Sequence, residues 1–382
     1  MRRVVGRVVG RVVGRVVVAL SVFALAVAAS VSPGAASVAP KAKKAPQIGH
    51  VFVINLENTG FETTFGSASP APYLSKELTA KGQLLTQYYG VSHASLGNYL
   101  AQISGQGPSK ATQVDCPTFS EFETTGTGEL DQVLGDGCVY PASVQTIADQ
   151  LTAKRLTWRG YMEDIGNSAT EPTTCRHPTI GEGDPTQAAR TGDQYATRHN
   201  PFVYFHSIID SPLCAKNVVG LDRLSRDLAS VKKTPNLVYI TPNLCNDGHD
   251  EPCVDGKPGG LVSADAFLKQ WVPKILKSPA FKKDGMLIVT FDEAELTEDS
   301  SECCGPTPAP NVTQAGLNGP GGGRIGAVII SKFVKPDTTN DTPYNHYALL
   351  CSMEDVFGLS HLGLAGRPGL ACFGPDVYNA KG

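Results

Sequence analysis

An α/β fold with a mainly parallel sheet is predicted by two features of the sequence. Short apolar runs suited to buried strands recur along the chain, and segments with a helical spacing of apolar residues lie between them. No unit of 20 to 50 residues repeats in the body of the chain, which argues against a repeat architecture. The predicted strands are 50–56, 156–162, 237–240, 286–291 and 325–330, and the predicted helices are 73–80, 96–103, 144–154, 221–231, 264–276 and 347–357.

These elements follow one another in a regular order. Strand 50–56 comes after a Lys- and Pro-rich linker and is a short apolar run that suits a buried strand. Leu96, Leu100 and Ile103 have helical spacing and predict the helix that follows it by some forty residues. The run 156–162 is the weakest of the strand predictions. The alternation of strands and helices favours parallel pairing in the sheet.

The composition restricts the class of protein. With 382 residues, 41% of them hydrophobic, the chain can form a sizeable core and is too apolar to be disordered. The same fraction is too low for a multispanning membrane protein, and a net charge of −3 argues against a nucleic-acid binder. Residues 1–40 hold five arginines and no acid, so the remainder has 28 basic and 36 acidic residues and a net charge of −8.

The first forty residues have the pattern of a secretory signal peptide. An Arg-Val-Val-Gly unit occurs three times over 3–14, an apolar run follows over 16–29, and small residues follow over 30–39. The 14-residue apolar run is shorter than the roughly 20 residues that span a bilayer, which disfavours an uncleaved membrane anchor. The predicted segments are a signal peptide (1–39), a linker (40–48) and one exported domain (49–382).

All ten cysteines follow the predicted signal peptide. An even number of cysteines in an exported chain predicts disulfide bonds. The sequence contains no Cys-x-x-Cys motif, which argues against a structural zinc site. Cys245 and Cys253 are expected to pair across a short local loop. The segments 105–140 and 297–323 are expected to be surface loops closed by disulfides.

Polar residues follow two predicted strands at the points where these strands end. Glu57 and Asn58 follow the first strand, and Asp292 and Glu293 follow 286–291. The carboxyl ends of parallel strands form the ligand crevice, so these side chains are expected to surround one divalent cation. Oxygen ligands favour Ca²⁺, Mg²⁺ or Mn²⁺ over a thiolate-rich zinc site. The alternative is that the acids are ordinary turn formers or helix caps.

Ser95 is expected at the amino terminus of the helix 96–103, where free N–H groups favour a phosphate and a developing alkoxide. A nearby cation would activate its hydroxyl as a nucleophile. Asn98, one turn further on, is expected to donate to a phosphoryl oxygen. Taken alone, Ser95 would more often be a plain helix N-cap.

A third polar cluster, 241–250, follows the strand 237–240 and contains Asp247 and His249. His249 is expected to protonate a leaving group or to hold a phosphoryl oxygen, with Asp247 beside it in the substrate site. A calcium loop is a weaker alternative, because the EF-hand spacing is absent. Further candidate histidines, each with a structural alternative, are His93, His206 and His346.

Five motifs in this order give the chain a resemblance to a known family. It resembles the bacterial phosphoesterase family of secreted acid phosphatases and phospholipases C, within the alkaline phosphatase superfamily. The resemblance implies an alkaline-phosphatase-like three-layer α/β sandwich and makes 49–382 a phosphoesterase domain. The motifs are Glu57-Asn58, the His93 to Leu100 segment, the Asn246 to Asp250 segment, the Ile288 to Glu293 segment, and His346-Tyr347 running into Phe357-Gly358-Leu359.

The resemblance also implies a role for each matching residue. The family tends to have proline where Ala94 and Gly97 stand, and usually a carboxylate where Leu56 stands, which are the main departures. The longer 297–323 loop could cover the site. The implied metal ligands are Glu57, Asn58, Asp292 and Glu293, the implied nucleophile is Ser95, and the implied phosphate contacts are Asn98, His206 and His249.

The sequence therefore predicts a secreted, metal-dependent acid phosphatase that hydrolyses phosphomonoesters through a phosphoserine intermediate. The cofactor is one divalent cation, with Ca²⁺, Mg²⁺, Mn²⁺ and Zn²⁺ left open. The substrate class includes phosphoinositides and other small phosphate esters, with no nucleic-acid partner and no stable membrane insertion after signal cleavage. The alternatives are a phospholipase C-type phosphodiesterase, a metal-independent serine esterase and a non-enzymatic secreted binding protein. The oligomeric state is left open.

Overall fold

Twelve strands lie within residues 46–382, the part of the chain that the computed structural model describes. They are β1 (His50–Leu56), β2 (Gln83–Leu85), β3 (Tyr88–Tyr89), β4 (Glu123–Thr127), β5 (Val133–Asp136), β6 (Trp158–Met162), β7 (Val218–Gly220), β8 (Leu237–Thr241), β9 (Gly285–Phe291), β10 (Ala327–Ser331), β11 (Thr338–Asn340) and β12 (Tyr344–Asn345). The predicted signal peptide lies outside the described residues.

Eight of these strands form the central sheet, in the order β11, β2, β10, β9, β1, β8, β6 and β7. From β9 to β7 all neighbours in this order are parallel, whereas β10 runs antiparallel to both β9 and β2. The outermost strand, β11, is parallel to β2. The predicted α/β class with a mainly parallel central sheet is therefore confirmed.

Nine α-helices are described along the same residues, joined by loops and by short 3₁₀ and π-helical turns. They are α1 (Phe61–Phe65), α2 (Ser95–Ser104), α3 (Ile147–Ala153), α4 (His206–Ile209), α5 (Pro212–Asn217), α6 (Leu224–Asp227), α7 (Gly260–Lys277), α8 (Pro279–Asp284) and α9 (His346–Phe357). No helix within residues 46–382 is both long enough and apolar enough to cross a membrane.

Helices cover both faces of the sheet, as the alternating side chains of β1 show. Asn55 points to one face, where its Oδ1 accepts a hydrogen bond at 2.9 Å from Gln102 of α2. Phe52 points to the other face, where its ring lies 6.1 Å from that of Phe281 in α8. Because successive residues of a strand face opposite sides, the fold has three layers with the sheet in the middle.

Helix α2 lies entirely in the protein interior, and this position fixes Ser95 at its first turn. Every residue of α2 is buried, and Leu96, Leu100 and Ile103 form the predicted apolar stripe. The helix ends at Gly105, whose φ of 69° is the left-handed conformation that terminates many helices. A buried helix between the sheet and α9 leaves its amino terminus at the carboxyl edge of the sheet.

The apolar runs predict the central strands well and the short elements poorly. All five predicted strands are confirmed to within two residues, as β1, β6, β8, β9 and β10. The predicted helices 96–103, 264–276 and 347–357 are confirmed as α2, α7 and α9, and 144–154 is confirmed in shorter form as α3. The segment 73–80 forms a six-residue π-helical turn at Tyr73–Leu78. Strands of two or three residues, such as β7 and β11, were not predicted because they are too short to show a pattern.

The prediction of one helix over 221–231 is wrong. The segment forms a 3₁₀ turn and then α6, which ends at Asp227. The Asp227 carboxylate turns inward to accept hydrogen bonds from Arg159 and Tyr161, and its carbonyl accepts one at 3.0 Å from the Thr234 hydroxyl. These contacts draw the chain inward at the point where a helix would have continued along the surface.

Five disulfides account for all ten cysteines. The predicted pair Cys245–Cys253 is confirmed, and Cys116–Cys138 closes the loop 105–140 as expected. The loop 297–323 differs from the prediction, because its disulfide joins the adjacent residues Cys303 and Cys304. Backbone hydrogen bonds hold this loop instead. The Gly90 N–H donates to the Gly323 carbonyl, and the Gly322 N–H donates to the Gly90 carbonyl. The remaining disulfides are Cys175–Cys214 and Cys351–Cys372.

Candidate active site

The carboxyl ends of β1 and β9 meet in register at one edge of the sheet. The last residues of these parallel strands pair with each other, so Glu57 and Asp292 follow side by side. The Asn58 N–H donates to Asp292 Oδ1 at 3.0 Å, and the Glu57 N–H donates to the Asp247 carbonyl at 2.9 Å. The structure thus brings the predicted metal ligands together with the loop that follows β8.

Four buried carboxylates gather at this edge, and we call them the acid cluster: Glu57, Asp247, Asp292 and Glu293. Each of the four residues is at most 3% exposed. Burial, followed by the negative charges of Asp292 and Asp247, raises the pKa of Glu57 well above its usual value. Burial also raises the pKa of Asp247, and it raises the pKa of Asp292 to about 7. The cluster therefore holds more negative charge than the folded chain alone can stabilise.

Several ligand atoms of this region have no hydrogen-bond partner among the described residues. They are buried, and they face a site that is rich in carboxylates. Uncompensated oxygens in a buried acidic site suit a divalent cation, and the donor set combines carboxylate, amide and imidazole groups. The atoms are Asn58 Oδ1, Asp247 Oδ2, Asp292 Oδ2 and both ring nitrogens of His199.

Tighter groups of three potential ligands occur elsewhere in the described part of the chain. One contains Cys245 and Cys253, and another contains Cys372. All three cysteines are in disulfides and offer no thiolate to a metal. The acid cluster, although its ligand atoms are more widely spaced, is therefore the better candidate for a cation.

Ser95 points its hydroxyl into the acid cluster. Its Oγ donates to Glu57 Oε2 at 2.9 Å and lies 3.5 Å from Glu293 Oε1. Tyr99, one turn along α2, donates its hydroxyl to the other oxygen of Glu57 at 2.5 Å. Both oxygens of Glu57 are thereby held in place, and Oε2 lies within reach of the Ser95 proton.

One N–H group in the first turn of α2 already has a partner in the protein. The Leu96 N–H donates to Asp115 Oδ1 at 2.9 Å, so a side chain of the protein occupies that position at the helix terminus. The second oxygen of Asp115 lies 3.6 Å from Nε of Arg198, which is itself only 8% exposed. Arg198 is thus a buried cation held within one contact of the turn that carries Ser95.

Asn98 does not present the free donor that was expected for a phosphoryl oxygen. Its Oδ1 accepts from the N–H groups of Val91 and Ser92 at 2.8 and 3.0 Å, and its Nδ2 donates to the Ser92 carbonyl at 2.8 Å. Nδ2 also lies 3.4 Å from Glu293 Oε2. These contacts hold the turn that leads into Ser95, and the predicted contact of Asn98 with a phosphoryl oxygen stays a prediction.

His199 lies directly against the acid cluster. Its Nε2 is 3.3 Å from Glu57 Oε2, and its Nδ1 is 3.6 Å from Asp247 Oδ2. The ring stacks on Tyr99 at 5.4 Å with an angle of 9° between the planes. Burial and the nearby charge of Arg198 lower the pKa of His199 well below its usual value. A neutral, oriented imidazole is suited to bind a cation or a phosphoryl group.

His249 lies at the rim of the same site, where its side chain is 40% exposed. Its backbone N–H donates to Asp247 Oδ1 at 3.1 Å, and its Nδ1 lies 3.4 Å from Asp250 Oδ1. The contact with Asp250 and the charge of Asp247 raise the pKa of His249. A protonated imidazole at the entrance can reach a leaving group that extends into solvent.

Comparison with known proteins identifies the family. A model of the family described as Phosphoesterase matches residues 68–360, well over half of the chain. The chain belongs to the Phosphoesterase family. The resemblance predicted from five ordered motifs is therefore confirmed.

Two relatives are similar along most of this Phosphoesterase family member. Phosphate-repressible acid phosphatase of Penicillium chrysogenum is 30% identical over 308 residues, which cover 81% of this chain and 58% of that protein. Phosphatidylinositol-3-phosphatase of Mycobacterium tuberculosis is 24% identical over 355 residues, 91% of this chain and 89% of that protein. The chain spans less than two thirds of the length of the fungal and yeast acid phosphatases that it matches.

Solved structures are similar in fold at low sequence identity. A putative sulfatase from Bacteroides thetaiotaomicron has a TM-score of 0.50 and 10% identity, over 88% of this chain and 76% of that chain. A protein in the alkaline phosphatase superfamily from Vibrio parahaemolyticus has a TM-score of 0.47 and 15% identity, over 85% and 71% of the two chains. The similarity to the putative sulfatase concerns the fold alone.

His206, which the sequence predicts as a phosphate contact, pairs with two acids outside the acid cluster. Its Nε2 pairs with Glu121 at 2.9 Å and its Nδ1 with Asp210 at 2.8 Å, and both acids are exposed. His199, seven residues earlier in the same segment, is the histidine that reaches the acid cluster. The sequence offered a weak signal, since the polar run 197–200, which contains His199, directly precedes the apolar and aromatic stretch 201–205. Only the three-dimensional path shows which histidine of this Phosphoesterase family member faces inward.

Gly97, one of the departures from the family pattern, has a packing reason. A Cβ at this position would lie 2.6 Å from Oγ of Ser92, closer than real Cβ contacts allow. Ser92 Oγ in turn donates to the carbonyl of Ala315 at 3.1 Å and ties the turn to the 297–323 loop. The glycine therefore allows close packing beneath Ser95.

His93 and His346 flank the cluster in buried positions. His93 Nδ1 lies 2.5 Å from Glu293 Oε2, and its Nε2 is 3.2 Å from the Asp299 carbonyl. His346 Nε2 donates to the Asp292 carbonyl at 2.5 Å, and burial lowers the pKa of His346 to about 4. Both rings orient a carboxylate-bearing residue, which makes them positioning residues.

Proposed function

We propose that the chain is an exported, metal-dependent acid phosphatase that hydrolyses phosphomonoesters through a phosphoserine at Ser95. The observation that carries this proposal is the hydroxyl of Ser95 at the first turn of a buried helix, 2.9 Å from Glu57 in a cluster of uncompensated acids. Membership of the Phosphoesterase family and the similarity to proteins named acid phosphatase support the reaction class.

The residues that would hold the cation are Glu57, Asn58, Asp292 and Glu293, with Asp247 and His199 as additional ligand candidates. Their unpartnered oxygen and nitrogen atoms fit such a group. When bound, a divalent cation supplies positive charge that offsets the buried acids and lowers the pKa of a neighbouring hydroxyl.

The chain's own groups account for the remaining steps. Glu57 Oε2 accepts the hydrogen bond of Ser95 and is placed to take its proton as Oγ attacks phosphorus. Arg198 offers a buried positive charge to the phosphoryl oxygens. His249 donates a proton to the leaving alcohol, and water then hydrolyses the phosphoserine. Because its pKa is raised, His249 keeps that proton at mildly acidic pH and loses it as the pH increases.

The substrate and location are proposed on separate grounds. One relative is a phosphatidylinositol-3-phosphatase, so phosphoinositides and small phosphate esters are the substrate classes to test. Five disulfides fit an oxidising compartment outside the cytosol, in agreement with the predicted signal peptide.

Replacement of Ser95→Ala tests the proposal, with Ser104→Ala as a matched control at the far end of the same buried helix. We expect Ser95→Ala to abolish hydrolysis of p-nitrophenyl phosphate without lowering the melting temperature, and Ser104→Ala to retain activity. Acid quenching of the wild type with labelled substrate should trap phosphate on Ser95. Full activity in Ser95→Ala would falsify the nucleophile assignment, and preferential hydrolysis of bis-p-nitrophenyl phosphate would instead indicate a phosphodiesterase.

A further inference from the structure

A cavity lies at the edge of the sheet opposite to the acid cluster. It has a volume of about 410 Å³ and is lined at the amino ends of three neighbouring strands. Trp158 begins β6, Asn217 directly precedes β7, and Pro235 comes shortly before β8. Since the acid cluster follows the carboxyl ends of β1 and β9, the two sites occupy opposite edges of one sheet.

The lining of this cavity is basic, and we call it the basic cavity. It contains five basic residues and no acidic residue. Arg159 alone among them has an acidic partner in the described part of the chain, through its ion pair with Asp227. Unpaired positive charge is thus concentrated in one concave site of a body whose net charge is −8. The five residues are Arg155, Arg159, Lys216, Lys232 and Lys233.

One detail indicates that the basic cavity is a built site and not a chance group of surface lysines. Asn217 is only 8% exposed, and its side-chain amide makes no hydrogen bond to another described residue, although it lines the cavity. Arg155 lines the same cavity from the end of α3, where its φ of 60° and the hydrogen bond from the Leu156 N–H to the Leu151 carbonyl terminate the helix.

We propose that the basic cavity binds a compact, multiply phosphorylated anion, either free in solution or as the headgroup of a lipid. Its volume falls in the range of small-molecule sites and is far from that of a surface that follows a nucleic-acid strand. Lysines act as point charges toward phosphate, and arginine donates in a fork that matches phosphate oxygens. The Asn217 amide adds a neutral donor. This proposal does not depend on the reaction at Ser95.

Inositol hexakisphosphate is the first probe, titrated calorimetrically into the Ser95→Ala protein so that turnover does not remove it. The test variant is Lys232→Ala with Lys233→Ala. The matched control is Lys282→Ala with Lys283→Ala, an exposed lysine pair in α8 that lies outside the basic cavity. We expect saturable binding that becomes about tenfold weaker or more in the test variant, since a charge-assisted hydrogen bond to phosphate contributes about that factor. The control should bind within about twofold of the parent.

Equal weakening in the two lysine pairs would overturn the proposal, because it would indicate general electrostatic attraction. Absence of saturable binding to the parent would overturn it as well.

Vesicles containing phosphatidylinositol bisphosphate, compared with phosphatidylserine vesicles of equal charge, distinguish a lipid headgroup from a free anion as the ligand. Preference for the bisphosphate that depends on Lys232 and Lys233 supports a headgroup ligand. Equal binding to both vesicle types without inositol hexakisphosphate binding would make the region a membrane-facing surface and contradict the cavity site. Unchanged p-nitrophenyl phosphate hydrolysis in both pairs, measured with Ser95 intact, confirms folding.

Discussion

Asp227 and the acid cluster are both buried, but only Asp227 is surrounded by cations. Asp227 Oδ2 accepts from Arg159 Nη1 at 2.5 Å, from Arg223 Nε at 3.1 Å and from the Tyr161 hydroxyl at 3.0 Å. The four acids of the cluster face one another, with Arg198 as the nearest buried arginine and unpartnered oxygens on Asp247 and Asp292. The fold can therefore neutralise a buried acid with its own cations, and at the cluster it does not.

This difference carries a functional meaning because uncompensated buried charge is costly. At Asp227 the sequence supplies two arginines, so the site is complete within the chain and serves the stability of β6 and α6. At the cluster, burial raises the pKa of Asp292 to about 7. A buried acidic site without counter-charges suits the divalent cation that we propose for it.

Removal of divalent cations should show the largest difference between the two regions. We expect dialysis against EDTA to lower p-nitrophenyl phosphate hydrolysis by about a hundredfold or more, because several kcal/mol of charge stabilisation would be lost. Adding back Ca²⁺, Mg²⁺, Mn²⁺ or Zn²⁺ separately should restore activity with one preferred ion. The melting temperature should fall on chelation and rise on addition, because an ion that binds only the native state stabilises it.

Elemental analysis provides the control for this experiment. If protein free of divalent metal were still fully active, the acid cluster would not need a cation for catalysis, and its contrast with Asp227 would have no functional meaning. Such a result would instead favour a metal-independent hydrolase that uses Ser95 with the nearby His199. The variant Asp227→Asn should respond to chelation as the wild type does, because Asp227 is complete without an ion.

The same substitution should have opposite effects on stability in the two regions. In chelated protein, Asp292→Asn should raise the free energy of unfolding by about 2 kcal/mol at pH 8, since it removes a buried charge without a counter-charge. Asp227→Asn should lower it by about 3 kcal/mol, because two arginines would lose their partner. Urea unfolding at several pH values measures both.

The pH dependence of unfolding independently tests whether Asp292→Asn stabilises the protein. The folded pKa of Asp292, about 7, lies above the unfolded value near 3.8, so the ionised form is disfavoured in the fold. The destabilisation therefore begins as the pH rises above about 3.8 and levels off above about 7. Asp292→Asn should be nearly neutral at pH 4 and stabilising at pH 8. A variant that is equally destabilised at both values would mean that the chain itself compensates Asp292.

The sequence predicts the strand-end acids of this site well, and the reason is geometric. Parallel strands that end in polar residues bring those residues to one edge, whatever the loops do, so Glu57 and Asp292 could be placed beside each other in advance. Ser95 followed from helical spacing in the same way. These residues depend on local pattern and on the sheet alone.

Residues delivered by long loops could not be predicted in this way. His199 lies in a region of short 3₁₀ turns, where no periodicity shows which side chain faces inward, and so His206 was chosen in its place. Asp115 reaches the Leu96 N–H from a loop closed by Cys116–Cys138, a pairing that spacing does not determine. The side-chain amide of Asn98 was expected to be free because its partners, Val91 and Ser92, belong to a turn without a sequence signature.

Glu354 in α9 is a third buried acid that can be compared with Asp227 and the acid cluster. Its replacement should have the smallest effect on stability of the three. Glu354 has neither the cations of Asp227 nor the neighbouring acids of the cluster. Its Oε1 accepts from the Leu362 N–H at 3.0 Å, its Oε2 has no partner in the described residues, and burial raises the pKa of Glu354 to about 9. The neutral form is therefore favoured in the fold, and its proton replaces the missing counter-ion.

Glu354→Gln should mimic that neutral form and keep the Leu362 hydrogen bond. Because the folded pKa lies above the unfolded value of 4.5, the cost of Glu354 appears above about pH 4.5 and grows until about pH 9. We expect the variant to match the wild type at pH 4 and to be about 1.5 kcal/mol more stable at pH 7, with activity unchanged. The neighbouring Asp355→Asn, which removes an exposed charge, should change stability by less than about 0.5 kcal/mol. Destabilisation by Glu354→Gln at every pH would show that Glu354 is ionised and paired, and uncompensated burial would then be confined to the site around Ser95.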